Sequence, residues 1–452
     1  MPGFFALSIN PQKYKDNFLE DLFWETFYQQ HLGEDYAGLA TYDGERIKLR
    51  THRGLFRPTF SEDIAGLEGT EGIGYCGDSR EPISEDSKFG EAAACFSGNL
   101  INREELVSEL KNSGHSFVWG GKDIEVILKL IAQRGEDRVD GIKRMTRAIE
   151  GAYSLLILSP EGIYAVCSPD GHWPLVLGEK EGAVAVTTDP CGFDNFRFKY
   201  CRDLEPGEIV LLKNGQAETK DKMASDRIQI CSFVWVYTNF PNAIFRGIAG
   251  SLVRKRLGAL LARRDIERGF IPDLVMPIAH SGRFPAIGYY QEFCRQINEE
   301  RIKRIPEYDE PLLKYQYAGR SYPKLTQAER EVEARIKQLK SGEDYTGKVA
   351  VICDDSIRRG TQIRKDLIPK LNSLGIKKNH LRIANPESHS YCPWGKTVQK
   401  GELLASQIPS KGERAEFLGV DSLEHPTVAD LAEAIGLPLE TLCVDCDLPA
   451  SD

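Results

Sequence analysis

The chain has 452 residues, with 58 basic and 67 acidic side chains, a formal charge of −9, and 41% hydrophobic and 28% charged residues. At about 100–200 residues per domain this is two or three globular domains with ample core, which excludes a single small module, a disordered chain and a collagen-like one. The acidic balance argues against wholesale binding of a phosphate backbone, so no nucleic-acid partner is expected, while one basic pocket for a phosphorylated small molecule stays compatible with it.

No apolar run approaches the roughly 18 residues of a membrane span, and Lys13 and Lys15 in MPGFFALSINPQKYKD fall where a signal peptide would continue its apolar core. A cytoplasmic protein with no membrane partner is expected. The 11 cysteines are too sparse for a disulfide scaffold. Seven of them, Cys76, Cys95, Cys167, Cys191, Cys201, Cys294 and Cys353, sit singly in apolar or mixed surroundings and are expected to be small core residues.

In chain order, AGLATYD, EAAACFSGN, YSLLILSPEGIYAVCS, PLVLGEKEGAVAVTT and GEIVLLKNGQ read as short strands, many joined as hairpins. NREELVSELKNSG and KDIEVILKLIAQRG place apolar residues at three- and four-residue steps and end in Gly, which predicts interposed helices and an α+β layered domain. After the polar stretch ETKDKMASDRIQ the texture changes. Long helices, SLVRKRLGALLARRD and PAIGYYQEFCRQINEERIKR, alternate with fully apolar strands, DLVMPIAH and KVAVICDD, which predicts a parallel-sheet α/β domain. The expected domains are residues 2–225 and 226–452. The charged run AEREVEARIKQLKSGED reads as a solvated helix or mobile loop.

The segment KVAVICDDSIRRGTQIRKDL carries the chemistry: a buried strand ends in Asp354 and Asp355 and passes through Ser356, Arg359, Gly360 and Thr361 into a helix. Backbone N–H groups at such a junction hold a phosphate, Gly360 permits close approach, and paired carboxylates accept hydrogen bonds from neighbouring sugar hydroxyls. A helix N-cap with two acidic residues is the bland alternative. DDSIRRGTQ resembles the phosphoribosyl-pyrophosphate (PRPP) loop of the amidophosphoribosyltransferase family, departing from that family's DDSIVRGTT at Arg358 and Gln362. CSFVWVYTNFPNAIFRG, MPIAHSGRFPAIGY, KYQYAGRSYPKLTQAER, LRIANPESHSYCPWG and FLGVDSLEHPTVADL extend the resemblance over nearly the whole chain.

The resemblance implies an N-terminal-nucleophile-hydrolase-like αββα sandwich, followed by an α/β type I phosphoribosyltransferase domain with a parallel sheet. It implies PRPP as substrate, Mg²⁺ bound largely through it, and a homo-oligomer, dimer or tetramer. Asp354, Asp355, Ser356, Arg359, Gly360 and Thr361 would bind PRPP, with Ser281, Gly282 and Arg283 on the pyrophosphate loop after His280, where the family usually has an acidic residue. Lys314, Gly319 and Arg320 match a loop that closes over PRPP and excludes water, giving Asp354, Asp355, Lys314 and Arg320 as catalytic candidates. Cys231, Cys392, Cys443 and Cys446 align with the ligands of the family's iron–sulfur type and imply a [4Fe–4S] cluster, with Zn²⁺ at the same cysteines as the alternative.

The first half resembles the family's glutaminase domain with its chemistry removed. Pro2 stands where Met removal would expose the nucleophilic Cys, Ser97 stands for an oxyanion-hole Asn beside Gly98, and Gly77 and Leu32 stand for two Arg. Asp123 still matches the substrate-binding pattern. A pseudo-glutaminase with a supporting role is expected, and a secondary amine at Pro2 is the competing reading. The acceptor is then expected to be another nitrogen compound, a purine- or deazapurine-like base in specialised nucleoside biosynthesis, with changes at His280, Tyr315, Gln316 and Trp394 in keeping with a changed acceptor. Two alternatives stay open: 5-phosphoribosylamine synthesis from ammonia, and an inactive PRPP-binding regulatory homologue.

Overall fold

Side-chain alternation builds the first half. In the strand Gly3–Ile9, Phe5, Leu7 and Ile9 enter one apolar cluster while Phe4 and Ala6 enter another, as a period of two requires. The computed structural model describes residues 2–60, 63–225, 227–314, 337–340, 342–395 and 401–448. Gly3–Ile9 is the middle strand of a seven-stranded sheet, antiparallel to Glu71–Gly77 on one side and Ala183–Thr187 on the other. A six-stranded antiparallel sheet packs against it, so that Phe4, Ile73 and Tyr75 from the first meet Cys95, Leu156 and Ile163 from the second.

Helices close both outer faces. Phe18 and Leu22 of helix Phe18–Phe27 pack beneath Phe5 and Leu7, and helices Arg103–Asn112, Asp123–Arg134 and Arg138–Ala148 cover the other sheet. The result is the expected αββα layering, and the expected hairpins form at 153–167, 176–187 and 208–222. The stretch ETKDKMASDRIQ is not wholly a linker. Its opening residues belong to the strand Gln216–Lys222, a solvent-exposed edge strand whose polar composition is what an edge tolerates.

In the second half a five-stranded parallel sheet runs in the order Glu307–Tyr308, Leu274–Pro277, Val349–Asp354, Lys378–Ile383, Ser422–Glu424. Helices Gly250–Glu267 and Arg283–Asn298 cover one face through Leu261, Ala286, Tyr289 and Phe293, against Val275 and Val351. Ile352, Met276 and Leu381 point the other way, towards Ile363, Leu371 and Leu418. A buried ion pair crosses the first of these layers: Arg382 donates to both oxygens of Asp265 at 2.6 and 2.9 Å, and the Tyr289 hydroxyl donates to the same carboxylate at 2.6 Å.

Three sequence expectations need correction. Helix Arg283–Asn298 stops before the ERIKR end of its predicted segment, because Glu300 takes a φ of +58° that no helix continues through. Within the charged run AEREVEARIKQLKSGED, Lys337–Leu339 is a strand antiparallel to Leu312–Lys314 rather than helix or loop, while 328–336 lie outside the described residues. Cys201 is exposed and Cys294 only partly buried, so neither is a core residue, unlike the other five of that set.

The two halves share one core. The cluster holding Phe5, Leu7 and Trp173 continues into Trp235, Val253, Leu257, Leu431 and Ile435. A short parallel ladder, Ile230–Cys231 with Leu442–Cys443, ties the chain's end to the start of the second half.

Candidate functional site

The strands Leu274–Pro277 and Val349–Asp354 are neighbours, so both following loops emerge at the carboxyl edge of the sheet, where open α/β sheets bind ligands. Ser281 Oγ donates to Asp354 Oδ1 at 2.6 Å, and the same oxygen accepts the Asp355 N–H at 2.9 Å. Asp355 Oδ1 accepts the Ser356 N–H at 2.6 Å, which leaves its buried Oδ2 without a hydrogen-bond partner. Burial, and then the Asp354 charge, push the Asp355 carboxyl well above the usual carboxylate range, against the pull of Arg254. An acceptor oxygen held dry in this way suits a sugar hydroxyl or a developing cation.

Glycines set the approach. A Cβ on Gly282 would sit 1.9 Å from the Cys353 carbonyl oxygen, so only glycine lets this loop close on the strand end. Gly360 takes a φ of +72° and faces Leu418, turning the second loop into the helix that begins at 361 and opens to a π-type turn over Ile363–Leu367. Thr361 opens that helix. Arg283 is held bidentate by Glu310 at 3.2 and 3.0 Å, and Arg359 pairs with Glu402. Lys314 ends its strand close enough to His280 that its charge, behind burial and Arg283, lowers the imidazole pKa. Gly319, Arg320, Tyr315 and Gln316 lie outside the described residues.

The four predicted cysteine ligands lie in one neighbourhood. Cys231 and Cys443 are register partners in the two-stranded ladder, and Cys392, Cys443 and Cys446 all act electrostatically on Cys231. Burial is the first cause raising all four thiols, Cys443 to about 12, so none ionises at neutral pH without a cation to hold. Backbone N–H groups of Phe233, Asp445, and Trp394 and Gly395 favour the thiolates of Cys231, Cys443 and Cys392 respectively, as hydrogen bonds to a metal's ligands do. No three of these sulfurs, all on described residues, come within 4.8 Å of one another, so the donor set suits a larger cluster better than a single ion.

Sequence reading missed what surrounds this centre. Arg358, a departure from the family loop, lies 4.4 Å from the Phe233 ring, and its charge favours the thiolates of Cys392 and Cys446. Trp394 packs 5.8 Å from the His172 ring of the first half, and Asn99 Nδ2 donates to the Pro393 carbonyl at 2.9 Å. The cysteine segment thus leans on the sandwich.

At the other candidate site Pro2 precedes the middle strand of the first sheet. Leu32 packs onto Gly3, whose added Cβ would lie 2.9 Å from Leu32 Cδ1. A Cβ on Gly77 would lie 2.1 Å from the fully buried Tyr75 hydroxyl, and one on Gly33 would lie 2.3 Å from Gly77 Cα. The space of a side chain at 77 is therefore taken. Ser97 Oγ is buried without a hydrogen-bond partner, and the buried Asp123 starts its helix with Arg103 at 3.8 Å. Neighbouring Glu81, which accepts from the Phe96 N–H and from Ser79, has its pKa pushed by burial to about 8.

Comparisons with known proteins agree with both halves. Residues 74–193 match a glutamine amidotransferase domain family. The chain is 32% identical to an amidophosphoribosyltransferase from Methanocaldococcus jannaschii, over 95% of this chain and 93% of that protein. It is 31% identical to one from Methanothermobacter thermautotrophicus, over 97% and 92%. Among solved structures, the allosteric regulatory enzyme of purine biosynthesis superposes with a TM-score of 0.86 at 27% identity, covering 98% of this chain and 94% of that one. Glutamine phosphoribosylpyrophosphate amidotransferase from B. subtilis, complexed with ADP and GMP, gives 0.85 at 28% identity, covering 98% and 96%. The fold is an N-terminal-nucleophile-hydrolase sandwich followed by a type I phosphoribosyltransferase sheet, and the chain belongs to the amidophosphoribosyltransferase family of phosphoribosyl-transferring enzymes.

Proposed function

We propose that this chain displaces pyrophosphate from PRPP with a nitrogen nucleophile other than glutamine-derived ammonia, a purine- or deazapurine-like base, with residues 2–225 as a pseudo-glutaminase and 226–452 as the transferase. One observation carries the proposal. The sheet edge at 281–283 and 354–361 keeps its carboxylates and glycines in working contact, whereas the Tyr75 hydroxyl fills the place of a carboxylate-gripping side chain at Gly77.

In this reading the 281–283 backbone and the turn through Ser356, Arg359, Gly360 and Thr361 hold the phosphates. Asp354 and Asp355 accept the ribose hydroxyls, and negative charge on Asp355 becomes cheaper as positive charge grows at the anomeric carbon. Arg283 and Arg359, now tied to Glu310 and Glu402, would be released by the stronger charge of a pyrophosphate. By resemblance to the family, Lys314 and Arg320 would help keep water from the cation, Arg320 lying outside the described residues. Mg²⁺ suits this edge, held by the substrate's oxygens with Asp354 and Asp355 as the nearest carboxylates, and it would offset charge on the leaving group.

Cys231, Cys392, Cys443 and Cys446 would hold a [4Fe–4S] cluster that pins the C-terminal segment, with Zn(Cys)₄ as the competing occupant. A broad visible absorption separates the two. No helix among the described residues is long and apolar enough to cross a membrane.

The test is pyrophosphate release from PRPP and Mg²⁺ by anaerobically purified protein, offered glutamine, ammonium and a panel of purine and deazapurine bases in parallel. Release with a base alone supports the reading. Release only with ammonium would make this a phosphoribosylamine synthase, and PRPP binding with no release under any acceptor would make it a regulator.

A further inference from the structure

Beside the candidate site at Pro2 and Leu32, His31, Asp189 and Cys191 bring a ring nitrogen, a carboxylate oxygen and a thiol to within 4.8 Å of one another. They come from the turn after the first helix and from the segment after the strand Ala183–Thr187, and Asp189 is fully buried. His31 Nδ1 lies 2.9 Å from the Tyr28 carbonyl, which can only accept, so that nitrogen carries the proton. Nε2 is then a lone pair, yet it sits 2.7 Å from Asp189 Oδ2, a second acceptor. Two acceptors at that distance repel unless the ring carries a second proton, as in an ion pair, or the two part slightly to ligate one metal ion.

The surroundings favour the metal. Asp189 Oδ1 accepts the Cys191 N–H at 2.9 Å and Oδ2 accepts the Phe240 N–H at 2.7 Å, so both oxygens are oriented by backbone donors. The Nδ1 contact to a carbonyl is the usual outer partner of a metal-bound histidine. The Cys191 thiol is 3.5 Å from the same Tyr28 carbonyl. The independent observation is Glu25, fully buried, with neither carboxylate oxygen hydrogen-bonded. Its carboxyl lies against Gly192, where an added Cβ would meet Glu25 Oε2 at 2.5 Å, and its charge acts on Cys191 as that of Asp189 acts on it. Glu25 lies outside the three residues whose ligand atoms come within 4.8 Å of one another, so it is a buried acid beside the cluster and not a ligand in it.

We propose that His31 Nε2, Asp189 Oδ2 and Cys191 Sγ bind one divalent transition-metal ion of the Zn²⁺ or Co²⁺ kind. Mixed imidazole, carboxylate and thiolate donors select that class over Mg²⁺. Binding releases the thiol proton, and one imidazole, one carboxylate and one thiolate then neutralise the ion. The site would be structural. Asn239 Nδ2 donates to the Thr188 carbonyl at 3.1 Å and Asn242 Nδ2 to the Cys191 carbonyl at 3.0 Å, so the ion would clamp the sandwich to the segment that leads into helix Gly250–Glu267.

Co²⁺ added to anaerobically purified protein with its four-cysteine centre filled tests this. The expected result is one further equivalent bound, a thiolate-to-cobalt charge-transfer band, displacement by Zn²⁺ and a raised melting temperature. Cys191→Ser should remove the band, and His31→Gln should weaken binding more than about tenfold, the lower end of what even an outer partner costs. If Cys191→Ser fails to fold by circular dichroism, His31→Gln alone decides, since its ring is partly exposed. No additional cobalt, or a band and affinity unchanged in His31→Gln, overturns the proposal and leaves an ordinary His–Asp ion pair.

Discussion

Ser97 Oγ in the first half and Asp355 Oδ2 in the second are both buried oxygens without a partner, and their surroundings differ. Around Asp355 the backbone has been drawn in: Ser281 and the Asp355 N–H donate to Asp354 Oδ1, the Ser356 N–H donates to Asp355 Oδ1, and Gly282 lies against Cys353. Around Pro2 and Gly77 side chains have been drawn in, Leu32 onto Gly3 and the Tyr75 hydroxyl onto Gly77. Backbone donors with an open acceptor make a site that waits for a ligand. Side chains that fill the space of a lost arginine make a core. The difference is what the proposed reading requires, one half of the chain serving as scaffold while the other carries the transfer.

The sharpest way to break this contrast is Asp355→Asn. Transfer should fall by at least ~10²-fold, the scale of losing one preorganised electrostatic group, as read by pyrophosphate release. The fold should survive. Because the Asp355 pKa is raised in the folded state, its contribution to stability is full below the unfolded carboxylate pKa and is lost as pH rises. Asn at 355 removes that loss, so the variant should melt no lower than the wild type at pH 8, and a large drop would assign Asp355 to structure instead.

Cys443→Ser should abolish visible absorption and lower the melting temperature by more than ~4 °C, over 1 kcal/mol for a domain of this size. An unaltered spectrum would remove Cys443 from the ligand set.

Gly77→Arg probes the closed half. Its Cβ would lie 2.1 Å from Tyr75 Oη, so overpacking should cost roughly 1–3 kcal/mol in chemical denaturation, and Pro2→Cys alone should give no glutaminase activity. Glutamate formation by Pro2→Cys would show that the pocket is still open.

The smallest effect is at Glu81, whose folded pKa is raised to about 8. Its stabilising contribution is present below the unfolded value and is lost as pH rises from there through about 8, so Glu81→Gln should gain on the wild type from mildly acidic pH up to about 8 and no further above it. Parallel stability–pH curves would contradict the buried, protonated Glu81.

The elements that build the transferase edge were legible because their signals are local. Val349–Asp354 is an apolar run followed at once by carboxylates and Gly360, and the hairpins of the sandwich alternate within a few residues of their turns. Features made by distant pairing were not. Lys337–Leu339 becomes a strand only through Leu312–Lys314, and a charged run carries no mark of that. Tyr75 over Gly77 was hidden for another reason: a missing arginine is readable, but which neighbour takes its space depends on the packing of two sheets. Arg358 above Phe233, and His31 against Asp189 across 158 positions, likewise exist only once each half has folded. The cysteine set was legible from resemblance, although CxxC alone would not have joined Cys231 to Cys443.

The central claim is phosphoribosyl transfer that does not draw on glutamine. The most direct measurement follows pyrophosphate and glutamate together, in one reaction containing PRPP, Mg²⁺, glutamine and the base panel. The account predicts pyrophosphate release that depends on a base, with no glutamate formed. Glutamate appearing mole for mole with pyrophosphate, with no base required, would contradict it.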